Sequence, residues 1–217
     1  MNKICFVSCA FGERYVAQQL RLNDSINKVH PEAGNIFTTD VMPLKSKSFN
    51  DSLYGFKPHI INEAREAGYK KIIFFDPACI VVDKVDYYFD IIKDYGVIAV
   101  KDDNLLGNWT SQIALNYYGM TREQCLEKGY HLVGGSIYVF DFDLPLCNSI
   151  FDTWEKAESD GLFGTEFQAS TEQINSHRND ETCMSFALYL NGSKPVPYDI
   201  ARYNDVPNPI VIKKHFK

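Results

Sequence analysis

Short apolar runs alternate with amphipathic stretches through the first half of the chain. Residues 3–8, 35–39, 72–75 and 97–100 have strand length and are rich in apolar, β-branched and aromatic side chains. Between them, 13–28, 57–67 and 87–95 read as helices; Pro58 lies near the start of the second and Gly68 stops it. This alternation predicts an α/β fold: a Rossmann-like, mixed but mostly parallel central sheet with helices on both faces. From Asp102 the rhythm changes. Residues 102–130 are mixed and polar, an expected excursion over the site. Residues 132–141 then return to the sheet, followed by a long helix over 146–159, a loop over 160–178 and a buried helix over 180–190. No repeat, low-complexity tract or linker divides the chain, so residues 1–217 are read as one domain.

The strand at 72–75 is a short continuous apolar run behind Lys70 and Lys71, the pattern of a strand buried on both faces. Asp76 falls at its carboxyl end, the edge where open parallel sheets bind ligands. A carboxylate there needs a cation, a sugar hydroxyl or solvent. The plainer alternative is a cap on the turn that begins at Pro77.

Composition narrows the function classes. Charged residues make up 23% and hydrophobic residues 45%, an ordinary globular balance. A net charge of −6 argues against a general nucleic-acid binder, which needs a basic field. The six cysteines include no CxxC pair and several sit in apolar runs, which speaks against a metal or disulfide framework. No apolar stretch approaches the roughly 20 residues of a membrane span, and no leader-like segment opens the chain. The expected location is the cytoplasm. There is no GxGxxG, P-loop, HExxH or GxSxG, which removes the commonest dehydrogenase, ATPase, zinc protease and hydrolase readings.

Four segments in order resemble nucleotide-sugar-dependent glycosyltransferases of the GT-A type. They are the opening strand and loop through Tyr15; Tyr54–Ile61 running on to Phe74-Phe75-Asp76-Pro77-Ala78; Val133-Gly134-Gly135-Ser136 through Asp141; and His177-Arg178-Asn179-Asp180-Glu181-Thr182. The likeness extends to retaining α1,3-galactosyl and GalNAc transferases and to glycogenin-like enzymes. It implies a nucleoside-diphosphate sugar donor, a UDP-sugar first, and an acceptor that is a glycan, protein, small molecule or nucleic acid. It also implies a Mn²⁺ or Mg²⁺ ion on an Asp-x-Asp pair at the strand end. Here Asp76 keeps the first acid and Ala78 stands where the second belongs, so metal dependence is expected to be weak. Asp76 and His215 are the metal candidates that remain.

The resemblance assigns donor binding to Ser8, Phe11, Gly12, Tyr15, Lys57, Asp76, Gly134, Gly135, His215 and Lys217. Chemistry falls to Asp180 and Glu181, and the acceptor side to Asp102 and Asp103. Each has a plainer reading. Aromatics such as Tyr15 pack cores, the two glycines mark bulges, and a basic tail is commonly solvated. Acids favour the first turn of any helix by about 0.3–1 kcal/mol. Two rival functions remain. A sugar nucleotidyltransferase builds a related sheet but would carry a glycine-rich basic loop after the first strand, where only Gly12 stands. A non-catalytic glycosyltransferase-like binding module is the other.

Overall fold

The structure is a computed structural model that describes residues 3–32, 35–39 (backbone alone), 41–43, 45–164 and 177–214. His215 and Lys217 lie outside the described residues, as do Asp40 and most of the 160–178 loop.

The chain opens with β1 (Ile4–Cys9) and α1 (Glu13–Val29), joined through Gly12 at φ +84, a turn geometry that glycine reaches without strain. β2 (Asn35–Thr39), α2 (Phe56–Glu66) and β3 (Lys71–Phe75) follow, then a short β4 (Cys79–Val81) and α3 (Asp86–Ile91). The predicted helix over 87–95 ends early, passing into a 3₁₀ turn at Ile92–Asp94. β5 (Val97–Leu105) runs past the point where polar residues predicted its end. The long β6 (His131–Asp141) offers it a continuous partner, and register shifts between Ala99 and Leu105 absorb Lys101-Asp102-Asp103-Asn104 as bulges. Between them lie a 3₁₀ turn (Leu106–Trp109), α4 (Gln112–Tyr117) and α5 (Arg122–Glu127), the last closed by a capping box from Thr121 and Gln124. α6 (Pro145–Ser159), α7 (Asn179–Leu190) and β7 (Val211–Lys213) complete the order.

Five strands form the main sheet in the order β2-β1-β3-β6-β5. The β2–β1 and β1–β3 pairings are parallel, and β6 is antiparallel to both its neighbours. Four strands therefore point one way and β6 alone is reversed. Side-chain alternation sends Cys5, Val7, Ile72, Phe74, Tyr138 and Phe140 to one face, against α2, α6 and α7. Phe6, Ile73, Phe75, Ile137 and Val139 go to the other, against α1 and α3. A third cluster around Leu106, Leu115, Cys125 and Phe186 roots the 106–130 segment in the body of the protein.

A separate two-stranded sheet pairs β4 with β7 in antiparallel register, Cys79 opposite Lys213. It carries the end of the chain back to the Asp76 turn, where Lys214 N–H donates to the Ala78 carbonyl at 2.9 Å. All six cysteines are free and buried. Among the described residues no helix is long and apolar enough to cross a membrane.

Candidate functional site

A cavity of about 690 Å³ opens at the carboxyl edge of β1 and β3. Its walls come from several places in the chain: Phe11 and Tyr15 after β1, the start of α2, Asp76 and Pro77 after β3, Gly135 within β6, the amino end of α7, and Lys213 from β7. β1 and β3 end at this edge, which places Phe11, Tyr15, Asp76 and Pro77 there. Gly135 lies on β6 beside β3, α7 packs against β6, and β7 reaches the edge by pairing with β4.

The amino end of α7 is firmly held. Trp154 Nε1–H donates to the Asp180 carbonyl at 3.0 Å, and Asn179 Nδ2–H donates to the Phe163 carbonyl at 3.0 Å. Thr182 Oγ1 accepts from Arg178 N–H at 3.2 Å and donates to the Trp109 carbonyl at 3.2 Å. Fixing this turn aims its two acids in different directions. Asp180 turns inward and is buried. Its Oδ2 accepts from Lys57 Nζ at 2.5 Å and from the Tyr138 hydroxyl at 3.3 Å. Glu181 faces the cavity, its Oε1 accepting from Gly135 N–H at 3.0 Å and its Oε2 from Arg178 Nε at 2.7 Å.

The electrostatics follow from that burial. Desolvation raises the Asp180 carboxyl to about 6, with Lys57 pulling the other way and Glu181 adding to the rise. For Lys57, burial works against its charge, but Asp180 and, behind it, Glu181 lift it above its ordinary value. At neutral pH the two are an ion pair. Lys57 also donates to the Gly135 carbonyl at 3.0 Å, so Gly135 links Lys57 and Glu181 through its two backbone groups. His177, buried in the same wall, is pushed down to about 4 by desolvation and stays neutral, with Nε2 3.1 Å from the Leu162 carbonyl.

The paired glycines separate in role. A Cβ on Gly135 would meet Lys57 Nζ at 2.8 Å and the carboxylates of Asp180 and Glu181 at 3.1 Å each, whereas one on Gly134 meets nothing within 4 Å. Gly135→Ala is therefore expected to displace the acid–lysine cluster and to cost about 1–3 kcal/mol by overpacking. Turnover is expected to drop about 10²-fold through misplacement of Glu181. Gly134→Ala should leave both nearly unchanged. Parallel melting curves and turnover measurements on the two variants check this.

Asp76 has the expected place at the strand end, and it also caps the turn: Oδ1 accepts the Ala78 N–H at 2.8 Å. Its own N–H donates to the Ser136 carbonyl at 2.8 Å, which locks the turn to β6. A resident divalent cation would need several oxygen ligands here. Ala78 supplies no side-chain oxygen and is 0% exposed, one Asp76 oxygen is already engaged, and no group of three ligating side chains exists among the described residues. These described residues do not fit a resident metal site. A cation of the protein itself lies close by. Lys213 lines the cavity and its Nζ reaches Ser136 Oγ at 2.8 Å.

Of the residues nominated from sequence, Phe11, Tyr15, Lys57, Asp76, Gly135, Asp180 and Glu181 line the cavity together. Ser8 is buried, with no partner for its hydroxyl among the described residues, and Gly12 caps α1; neither lines the cavity. Asp102 and Asp103 sit on the β5 bulge outside the wall, although the Asp102 charge reaches Arg178. From the basic tail 213–217 sequence reasoning nominated His215 and Lys217 rather than Lys213, and it singled out neither Phe49 nor Tyr54, although Tyr54 opens one of the four resembling segments. For Lys213 a signal existed, since Ile210-Val211-Ile212 reads as a strand immediately before it.

No family model and no curated protein matches the sequence. Solved structures do share the fold. The bifunctional glycosyltransferase WbbM aligns over 100% of this chain and 46% of its own, with TM-score 0.61 and 12% identity. A glycosyltransferase involved in glycosylation of the major capsid of PBCV-1 aligns over 99% and 96%, with TM-score 0.54 and 9% identity. The galactosyltransferase LgtC, solved with donor and acceptor sugar analogues, aligns over 97% and 86%, with TM-score 0.50 and 12% identity. The chain spans about half the length of WbbM. Likeness at these identities speaks for architecture, and the architecture is the GT-A glycosyltransferase fold.

Proposed function

We propose that the protein is a glycosyltransferase that moves a sugar from a nucleoside-diphosphate sugar, a UDP-sugar in our reading, to an acceptor hydroxyl. The observation that carries this is Glu181. It is a carboxylate fixed by Gly135 N–H and Arg178 and facing a cavity at the ligand-binding edge of a glycosyltransferase fold. In this reading Phe11 and Tyr15 flank the nucleotide, Asp76 meets the ribose and diphosphate, and Lys213 offers charge to the phosphates. The sugar then rests against the Gly135 backbone, between Asp180 and Glu181.

Transfer breaks the bond from the sugar's anomeric carbon to the phosphate oxygen, and the electron pair leaves on the nucleotide. The acceptor oxygen forms the new bond as its proton passes to the departing phosphate. Positive charge grows at the anomeric carbon as the old bond stretches. A negative charge held in place beside it lowers the barrier without reorganising. Both Glu181 oxygens already accept hydrogen bonds, which suits that electrostatic role, and a retained configuration, better than general-base work. Metal dependence is proposed to be weak. Mn²⁺ or Mg²⁺ would bind through the donor's phosphates and Asp76, not in the nucleotide-free protein. Six buried thiols suit the reducing cytoplasm, where we place the reaction.

UDP is expected to stabilise the protein against heat with no added metal, by about 2.7 kcal/mol at 100 times its Kd. Lys213→Ala should weaken UDP by roughly tenfold or more, the scale of one lost charge-assisted hydrogen bond. Calorimetric titration without metal reads both. Tight Mn²⁺ binding by the nucleotide-free protein would overturn the metal reading, and silence toward every nucleotide would overturn the donor reading.

A further inference from the structure

Among the described residues nine large hydrophobic side chains are exposed, and three of them, Tyr15, Phe49 and Tyr54, line the cavity described above. Such rings at a cavity mouth offer a flat apolar surface that solvent does not reward. Tyr54 carries a second oddity. Its φ is +63, a left-handed backbone that a bulky side chain rarely adopts, and among the described residues it is the one aromatic to do so. Strain of this kind persists only where the surroundings enforce it.

The enforcement is visible. Gly55 follows with no room for a side chain, since a Cβ there would lie 2.2 Å from Ser52 Oγ. Ser52 is itself buried and donates to Glu158 Oε1 at 2.9 Å. The tight 52–55 turn thus leads into α2 and sets the Tyr54 ring with its centroid 5.0 Å from Lys57 Nζ. Phe49 meets it edge-on at 5.7 Å and Phe56 lies tilted at 6.4 Å. The ring remains 42% exposed.

Position decides what the ring could meet. Lys57 ties it to Asp180, and its phenol lies within electrostatic reach of Asp180 and Glu181 on one side and Tyr15 on the other, so it stands where the nucleotide flank gives way to the reacting end of the cavity. The base of a nucleoside-diphosphate sugar is separated from the reacting carbon by a ribose and two phosphates, toward Asp76 and Lys213. An aromatic wall beside the acids therefore faces the incoming molecule. The chemistry that fits a flat ring beside carboxylates is a pyranose, whose C–H face stacks on the aromatic while its hydroxyls meet charged groups.

We propose that Tyr54, braced by Phe49, is the stacking wall of the acceptor subsite and that the acceptor presents a pyranose ring to it. This rests on the donor reading above. It is tested by saturation-transfer NMR on the full chain loaded with UDP, using methyl β-galactopyranoside, methyl β-glucopyranoside and methyl α-mannopyranoside as probes. At least one glycoside is expected to bind through the protons of one ring face, with Tyr54→Phe retaining the signal. Tyr54→Gly relaxes the backbone and is expected to melt no lower than wild type. It should weaken the glycoside at least tenfold while the Kd of UDP stays within twofold. If Tyr54→Gly fails to fold, Tyr54→Asn, which tolerates the same φ, takes its place. The inference falls if no glycoside binds the UDP-loaded protein, or if the Tyr54 variant loses UDP by the same factor, which would make the ring a donor contact. Wild-type protein that ignores UDP would bring down the donor reading and this inference with it.

Discussion

Glu181→Gln is expected to lower kcat by about 10²–10⁴-fold while the melting temperature moves only a few degrees. Glutamine keeps the volume and can still accept from one of the two donors, Gly135 N–H or Arg178 Nε. Its amide must turn N–H toward the other, so one hydrogen bond is lost along with the charge. The lost bond costs about 0.5–1.5 kcal/mol, or more because a charged group is involved. The helix itself survives, since the Trp154, Asn179 and Thr182 bonds that hold its amino end do not use the Glu181 side chain. An acid placed there only for helix-end electrostatics would cost about 0.3–1 kcal/mol and leave turnover intact. Steady-state kinetics beside a melting curve separates the two roles. Near-normal turnover would return this acid to a structural part.

Lys57 and Asp180 are expected to behave in the opposite way, through the fold first. Lys57→Met leaves the Asp180 carboxylate buried without its cation and should cost about 3–5 kcal/mol at pH 7. Adding Asp180→Asn removes the orphaned charge, so the double variant should recover much of that stability and none of the activity. A double-mutant cycle in denaturant reads the coupling. Equal losses that simply add would show that the pair does not act as a unit.

The same pair predicts a pH profile. The Asp180 carboxyl is held up to about 6, so it takes a proton as pH falls through that value and Lys57 loses its counter-charge. Turnover should then decline on the acid side with a midpoint near 6. The folded state binds this proton more tightly than the unfolded chain, whose aspartates titrate near about 4. This carboxyl's contribution to stability is therefore greatest below about 4 and is lost as pH rises through about 6. Activity and this term of stability thus run in opposite directions across the window.

The parts of the site that local pattern could reveal are those built from local pattern. β3 stood out because a strand covered on both faces has no polar positions, and Asp76 marked its end. The two acids of α7 were legible because helical spacing set Asp180 in line with Met184, Ala187 and Leu188, all buried. What stayed hidden depends on distance along the chain. Lys57 and Asp180 meet across 123 residues, and no periodicity reports such a pair. β4 and β7 have three residues each and become strands only by finding one another, which is how Lys213 reaches the cavity. The reversed direction of β6 was equally silent, since an apolar run does not say which way it points. Tyr54 needed a backbone angle that its own residue type argues against.

Asp76 illustrates a site residue with two duties. The turn-capping role that sequence offered as the plainer reading is present, with Oδ1 on the Ala78 N–H. The other oxygen accepts no hydrogen bond among the described residues, and the side chain lines the cavity. A capped carboxylate is a rigid one, which is useful to a ligand as well as to the turn.

Sugar transfer itself is the claim on which everything else rests, because a binding module with this cavity would take up nucleotide without turning it over. The most direct test incubates wild-type protein and Glu181→Gln with UDP-glucose, UDP-galactose, UDP-GlcNAc and UDP-GalNAc, with and without the methyl glycosides. Released UDP and the glycosylated product are then followed by mass spectrometry. The account predicts that wild type consumes at least one UDP-sugar and moves its sugar to a glycoside or to water, and that Glu181→Gln loses this by 10²-fold or more. Wild-type protein that binds UDP yet leaves every donor intact would contradict it.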